Sequence, residues 1–170
     1  MAGTLSVNCT SDASWQDGAA GVAATCFIYK EAASDWEGLL CMCTAAFQIH
    51  AENNNVAELH AAQLALQLAD RAMQHMRIHA YEVRHLEVLT DSQYAVPRLE
   101  NSQPHLHGIP VEYKWNPRGD SSISVVNSIA RQYVWAIGNK AGASTASLMH
   151  LASGLPAWTR HEYLHRQYRN

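Results

Sequence analysis

The sequence predicts an α/β fold: a mixed five-stranded sheet, three antiparallel strands followed by parallel ones, flanked by helices. Three observations carry that expectation. Near the start of the 170-residue chain, Leu5, Val7 and Cys9 alternate with Ser6, Asn8 and Thr10, the period-two pattern of a half-buried strand. An asparagine run, Asn53-Asn54-Asn55, opens into Leu59, Ala62, Leu66 and Ala69 at helical spacing. After that helix, His85-Leu86-Glu87-Val88-Leu89-Thr90 reads as another strand, and a strand that follows a helix in this way forms a parallel crossover unit.

The first strand is expected over Leu5–Thr10, with Asp12 at its end and a turn-rich link, Ser14-Trp15-Gln16-Asp17-Gly18, beyond it. Strand two covers Ala20–Lys30, a polar connection covers Glu31–Gly38, and strand three covers Leu39–His50. Three strands in succession before any helix make an antiparallel start to the sheet. The helix runs from about Asn55 to Met76, with an asparagine as N-cap and Glu58 in or near the first turn, where the helix dipole favours a carboxylate. Strand four ends at Thr90, Ser92 caps a short helix that Pro97 disturbs, His105–Pro110 is loop, and strand five ends at Trp115. Ser124–Ile137 is the last core helix, with Val125, Ile129, Tyr133 and Ile137 on one face. Residues 1–138 thus form the domain and 139–170 an extension. Within it, Asn139–Thr145 is a linker, Ser147–Leu155 a short helix, and the basic segment from Arg160 to Asn170 a frayed helix or an arm for nucleic acid.

Composition bounds what such a domain does. Hydrophobic residues make up 48% and charged residues 16%, which is a folded globular balance. No apolar run is long enough to span a bilayer, and Met1-Ala2-Gly3-Thr4 starts no secretory signal, so an intracellular setting, cytoplasmic or nuclear, is expected. Cys9, Cys26, Cys41 and Cys43 lack C-x-x-C spacing and read as reduced thiols, core or half-buried. Twelve Lys and Arg against fifteen Asp and Glu leave a net charge of −3. Phosphate contacts supply most non-specific affinity for nucleic acid, so a nucleic-acid partner would need a local basic patch or a partner protein or domain.

Three segments, in order, resemble the type 1 ribonuclease H family. Asn54 to Leu66 (Asn-Asn-x-x-Glu-Leu-x-Ala-x-x-x-Ala-Leu) is similar to its first helix, Cys9-Thr10-Ser11-Asp12-Ala13-Ser14 to the end of its first strand, and Leu89-Thr90-Asp91-Ser92-Gln93-Tyr94 to its fourth strand and the turn after it. The resemblance spans roughly residues 5–135 and implies a three-layer ribonuclease H-like fold. It also implies an endonuclease that cuts the RNA strand of RNA/DNA hybrids with two Mg²⁺ ions, Mn²⁺ substituting. Asp12, Glu58 and Asp91 would hold the ions, since Mg²⁺ takes hard oxygen ligands and a paired-ion site serves both the attacking and the departing oxygen. Asn54, Asn55 and Gln93 would read 2′-hydroxyls, which both donate and accept as amides do.

The chain also departs from the family. Ala13 replaces the usual glycine. The fourth acid, expected at the start of the last helix, is Asn127, which offers an oxygen but no charge; Asp120 is a candidate to supply it from the preceding loop. No histidine lies between His107 and His150, where many members carry one on a flexible loop, and Arg118 is a candidate for the product phosphate. The segment between Asp91 and strand five is too short for a basic handle, as in reverse-transcriptase-associated members. These departures also fit a second reading, a catalytically weak or inactive module of the same fold that binds nucleic acid or protein. A DEDD exonuclease or an integrase fits less well: the former carries two acids on its first strand and the latter places its glutamate last.

Overall fold

The computed structural model describes residues 4–31, 39–75, 82–117, 144–152 and 158–167. In chain order the elements are β1 (Thr4–Gln16), β2 (Ala19–Lys30), β3 (Leu39–His50), α1 (Asn54–His75), β4 (Glu82–Thr90), α2 (Ala95–Ser102), β5 (His105–Leu106), β6 (Ile109–Pro110), β7 (Glu112–Trp115), β8 (Ser144–Ala152) and β9 (Trp158–Gln167). The main sheet has the order β7-β4-β1-β2-β3-β8-β9. Its first five strands are the expected mixed sheet. β1, β2 and β3 pair antiparallel, and β4 and β7 join β1 in parallel.

β1 is longer than its sequence pattern suggests, because the turn after it is shorter. Asp17 and Gly18 alone connect β1 to β2, with φ of 50° and 82°. Two successive residues at positive φ give the turn whose twist matches paired strands, so the ladder continues to Gln16↔Ala19. Asp12 therefore lies inside β1, opposite Ala23, and not at the strand's end.

Asn53 caps α1: its side-chain oxygen accepts from the Val56 N–H at 3.0 Å and its carbonyl from the Ala57 N–H at 3.2 Å. The helix starts at Asn54, so Glu58 is its fifth residue and the first turn holds no acid. Glu58 is 2% exposed, a buried carboxylate and not a dipole-capping one. Ala62, Leu66 and Ala69 of the expected stripe are buried, and Leu59 is only partly so. Ala57, Ala61, Ala65 and Ala72 are fully enclosed beside them, which widens the stripe into an alanine-rich seam where α1 packs on β1 and β2. Alanine is the best helix former and the smallest chiral side chain, so this seam keeps helicity while letting the axis approach the sheet. Leu5, Val7, Ile28, Leu86, Val88 and Leu99 fill the remaining core at 0–1% exposure. Each such side chain contributes on the order of 1.5–3 kcal/mol by leaving water.

Tyr94, not the expected Ser92, is the N-cap of α2 and makes no side-chain cap bond; Ser92 serves from two residues earlier, its Oγ accepting from the Ala95 N–H at 3.1 Å. Pro97 does not disturb α2. It is the third residue of Ala95–Ser102, in the first turn, where a helix leaves N–H groups without intrahelical partners. The expected loop at His105–Pro110 contains a small hairpin, β5–β6, whose corner residues His107 and Gly108 have φ of 51° and 76°.

The C-terminal expectation is corrected. Ser144–Ala152 and Trp158–Gln167 are strands, where a linker end, a short helix and a frayed helix or arm were expected. β8 pairs antiparallel with β3 from Cys41↔Leu151 to Ala46↔Ala146, and β9 pairs with β8. A strand edge is a row of N–H and C=O groups able to template another strand, and that non-local pairing overrides weak local helix preference. The expected last helix, Ser124–Ile137, lies outside the described residues. No helix among the described residues is long and apolar enough to cross a membrane. Cys9, Cys26 and Cys43 are buried thiols that form no disulfide.

Candidate active site

Parallel pairing of β1 and β4 brings the first two acids together. The ladder runs to Ser11↔Thr90, and the next residues along the chain are Asp12, still in β1, and Asp91, just past the end of β4. Since β4 ends at Thr90 while β1 continues to Gln16, the flank of β1 opens at Asp12. Open α/β sheets place their sites at such carboxyl ends of parallel strands. Glu58 comes from the second turn of α1. One carboxylate oxygen from each of Asp12, Glu58 and Asp91 lies within 4.8 Å of the others.

The surroundings hold these acids in place. Asp12 is 0% exposed, and its Oδ1 accepts from the Ala13 N–H at 2.9 Å. Trp15, farther along β1, donates its indole N–H to the Ala51 carbonyl at 2.8 Å, tying the strand to the segment that carries the Asn53 cap. On the other side, the Thr90 hydroxyl accepts from the Ser92 N–H at 3.1 Å and the Thr90 carbonyl from the Asn116 N–H at 2.9 Å. The Trp115 indole N–H donates to the Asp91 carbonyl at 3.0 Å. Backbone and ring bonds thus fix both segments that present an acid.

Three carboxylates at this spacing repel one another, most strongly where water is excluded. Every donor in the set is a hard oxygen, which suits Mg²⁺ or Mn²⁺ and disfavours soft-metal chemistry. The residues therefore fit a divalent-cation site.

Beside the acids is a groove of about 560 Å³, lined among others by Asn54, Asn55, Glu58, Asp91, Gln93 and Trp115. The three sequence-predicted amides thus share one concavity with two of the three acids. Arg98, whose guanidinium sits 3.3 Å from the centre of the Tyr94 ring, brings a cation to the side chain that also borders this groove. Arg118, Asp120 and Asn127 lie outside the described residues. Trp115 is the groove residue that sequence reasoning passes over. Its signal is slight, a tryptophan closing a short strand directly before Asn116-Pro117.

No family model matches this chain, and no curated protein matches it. Solved structures do. The N-terminal RNase H domain of Rv2228c from Mycobacterium tuberculosis, solved as a maltose-binding-protein fusion, is 18% identical, with 82% of this chain and 99% of that one covered and a TM-score of 0.51. LC11-RNase H1, solved in complex with an RNA/DNA hybrid, is 14% identical over 77% of this chain and 98% of that one, at a TM-score of 0.53. LC9-RNase H1, described as a type 1 RNase H with the type 2 active-site motif, is 14% identical over 80% and 74% of the two chains, at 0.52. This chain has the ribonuclease H fold.

Proposed function

We propose that the protein is a divalent-cation-dependent endonuclease that hydrolyses the RNA strand of RNA/DNA hybrids. The observation that carries this reading is the meeting of Asp12, Glu58 and Asp91 within 4.8 Å at the end of a parallel strand pair, beside a groove bordered by amides. Asp12, Glu58 and Asp91 would hold the cations, with Asn127 or Asp120 as a weaker fourth ligand. Two bound ions would supply a water nucleophile at neutral pH and stabilise the departing 3′ oxygen. The chain's own residues do the positioning. Asn54, Asn55 and Gln93 would take 2′-hydroxyls, each amide offering a donor and an acceptor, and so separate an RNA strand from DNA. Arg118 would take the product phosphate. The acids at the floor disfavour an approaching phosphate unless cations are present, which makes binding of the scissile strand cation-dependent.

The deciding experiment incubates the protein with a labelled RNA/DNA hybrid and Mg²⁺ or Mn²⁺, beside Asp12→Asn. Internal cuts in the RNA strand are expected, absent on double-stranded DNA. Losing even an outer partner of a metal ligand costs 10–100-fold, so Asp12→Asn should lower the rate by at least about a hundredfold. Failure of folded protein to cut with either metal would leave the alternative, a module of this fold that binds nucleic acid or protein without cleaving, for which Asn127 at the fourth-acid position speaks.

A further inference from the structure

Trp115 combines three properties that its structural role alone does not require. At 46% exposure it is, with Trp15, one of two exposed large hydrophobic side chains among the described residues. It borders the same groove as Asn54, Asn55, Gln93 and the acids Glu58 and Asp91. Its ring is not free to turn away, because the indole N–H is held on the Asp91 carbonyl at 3.0 Å and its backbone is paired with Thr90 in the β4–β7 ladder. A fixed, half-exposed indole costs little conformational entropy when a ligand covers it, and tryptophan is the residue type most enriched where binding energy concentrates. The other aromatic ring bordering the groove, Tyr94, is already engaged by Arg98.

The charge balance adds a second argument. A chain with net charge −3 and an acidic groove floor gains little from phosphate attraction at this point, so an uncharged, apolar contact is well suited to supplying affinity there. We propose that Trp115 is a substrate-positioning residue: its indole face is the apolar wall of the groove, against which a ribose of the bound strand packs while the neighbouring amides take the 2′-hydroxyl. This deepens the hybrid-nuclease reading and rests on it.

The test compares wild type, Trp115→Phe and Trp115→Ala, each checked for unchanged melting. Binding of an RNA/DNA hybrid and of single-stranded RNA is measured with Ca²⁺ across a salt series, and kcat and KM for hybrid cleavage with Mg²⁺. Trp115→Ala should weaken hybrid binding and raise KM by roughly five- to tenfold, a larger change than any fall in kcat, Trp115→Phe should recover most of the loss in binding, and the salt slope should not move. A Phe variant as impaired as the Ala variant would reduce Trp115 to a tether for Asp91 and overturn the proposal. So would a Trp115→Ala protein that binds and cleaves like wild type, a result that leaves the nuclease reading intact. A loss larger on single-stranded RNA than on hybrid would overturn it in favour of stacking on an unpaired base. Trp115-dependent hybrid binding by a wild type that does not cleave would uphold the wall and sink the nuclease. Absence of nucleic-acid binding in wild type would overturn both.

Discussion

Strands β4 and β7 border two clusters of potential metal ligands, and the contrast between them is instructive. At the carboxyl end, Asp12, Glu58 and Asp91 converge; in the middle of β4 and at the start of β7, His85, Glu87 and Glu112 come within the same 4.8 Å. The second group already has a cation set against its acids. Lys114 Nζ lies 2.7 Å from Glu87 and 3.4 Å from Glu112, and the two His85 ring nitrogens face Glu87 at 3.3 Å and Glu112 at 3.6 Å. It is also open to water: the Glu112 side chain is 51% exposed and that of Lys114 46%. The first group contains only acids, two of them almost fully buried, and faces a concavity. Clustering of ligand atoms therefore does not distinguish a site from an ion-pair network. Burial and sign balance do; an adjoining concavity does not, since His85 and Glu112 also border one, of about 380 Å³.

The largest expected effect separates the two directly. A ligand that binds only the folded state at about a hundred times its Kd stabilises by about 2.7 kcal/mol, and a chain of this size gains roughly 2–4 °C per kcal/mol. Saturating Mg²⁺ should therefore raise the melting temperature by roughly 5–10 °C. Asp91→Asn should lose most of that shift, whereas His85→Ala should keep it. The opposite pattern in calorimetry would transfer the cation site to the exposed cluster.

A smaller effect is expected in alkali, where β7 reports from both of its faces. Burial raises the Tyr113 phenol from 10.0 to about 12, and its hydroxyl donates to the Gln103 carbonyl at 2.6 Å. Because the folded pKa exceeds the unfolded one, this contribution is complete below pH 10 and is lost as pH climbs toward 12. Tyr113→Phe should cost on the order of 0.5–1.5 kcal/mol near neutrality through the lost hydrogen bond, and should flatten the decline above pH 10. Urea unfolding at a series of pH values measures both; a decline unaltered in the variant would assign the alkaline transition elsewhere.

The smallest effect belongs to Lys114. Hydrogen bonding and attraction from Glu87, then from Glu112, raise its pKa above 10.5, so the contribution of the ion pairs is complete below 10.5 and is lost as pH rises through the higher folded value. Lys114→Met should lower the melting temperature only slightly, with the difference shrinking at high salt, because exposed ion pairs are screened. A large, salt-independent loss would mean the exposed cluster holds the sheet together more firmly than its exposure suggests.

The local pattern of the chain determined a great deal. Alternation at Leu5–Cys9 marks a strand, Asn53 before a helical stripe marks a helix start, and the order Asp12, Glu58, Asp91 with its flanking residues carries the resemblance to ribonuclease H. These features were legible because they depend on neighbours within a few positions: pleat, cap and turn chemistry are short-range. Other features depend on contacts distant in sequence. Asp12 sits mid-strand because a two-residue turn extends β1. Glu58 is a buried acid because its helix begins a residue earlier and packs on an alanine seam. Residues 144–152 pair as a strand because the β3 edge accepts them, and 158–167 pair in turn with 144–152. That Asp12 and Asp91 adjoin follows from the β1–β4 register, and that Trp115 borders their groove follows from the β4–β7 register. Periodicity along one strand holds no information about the register of its partner. The sequence by itself supplied the acids and amides, and only the tertiary pairing decided which of them share a groove.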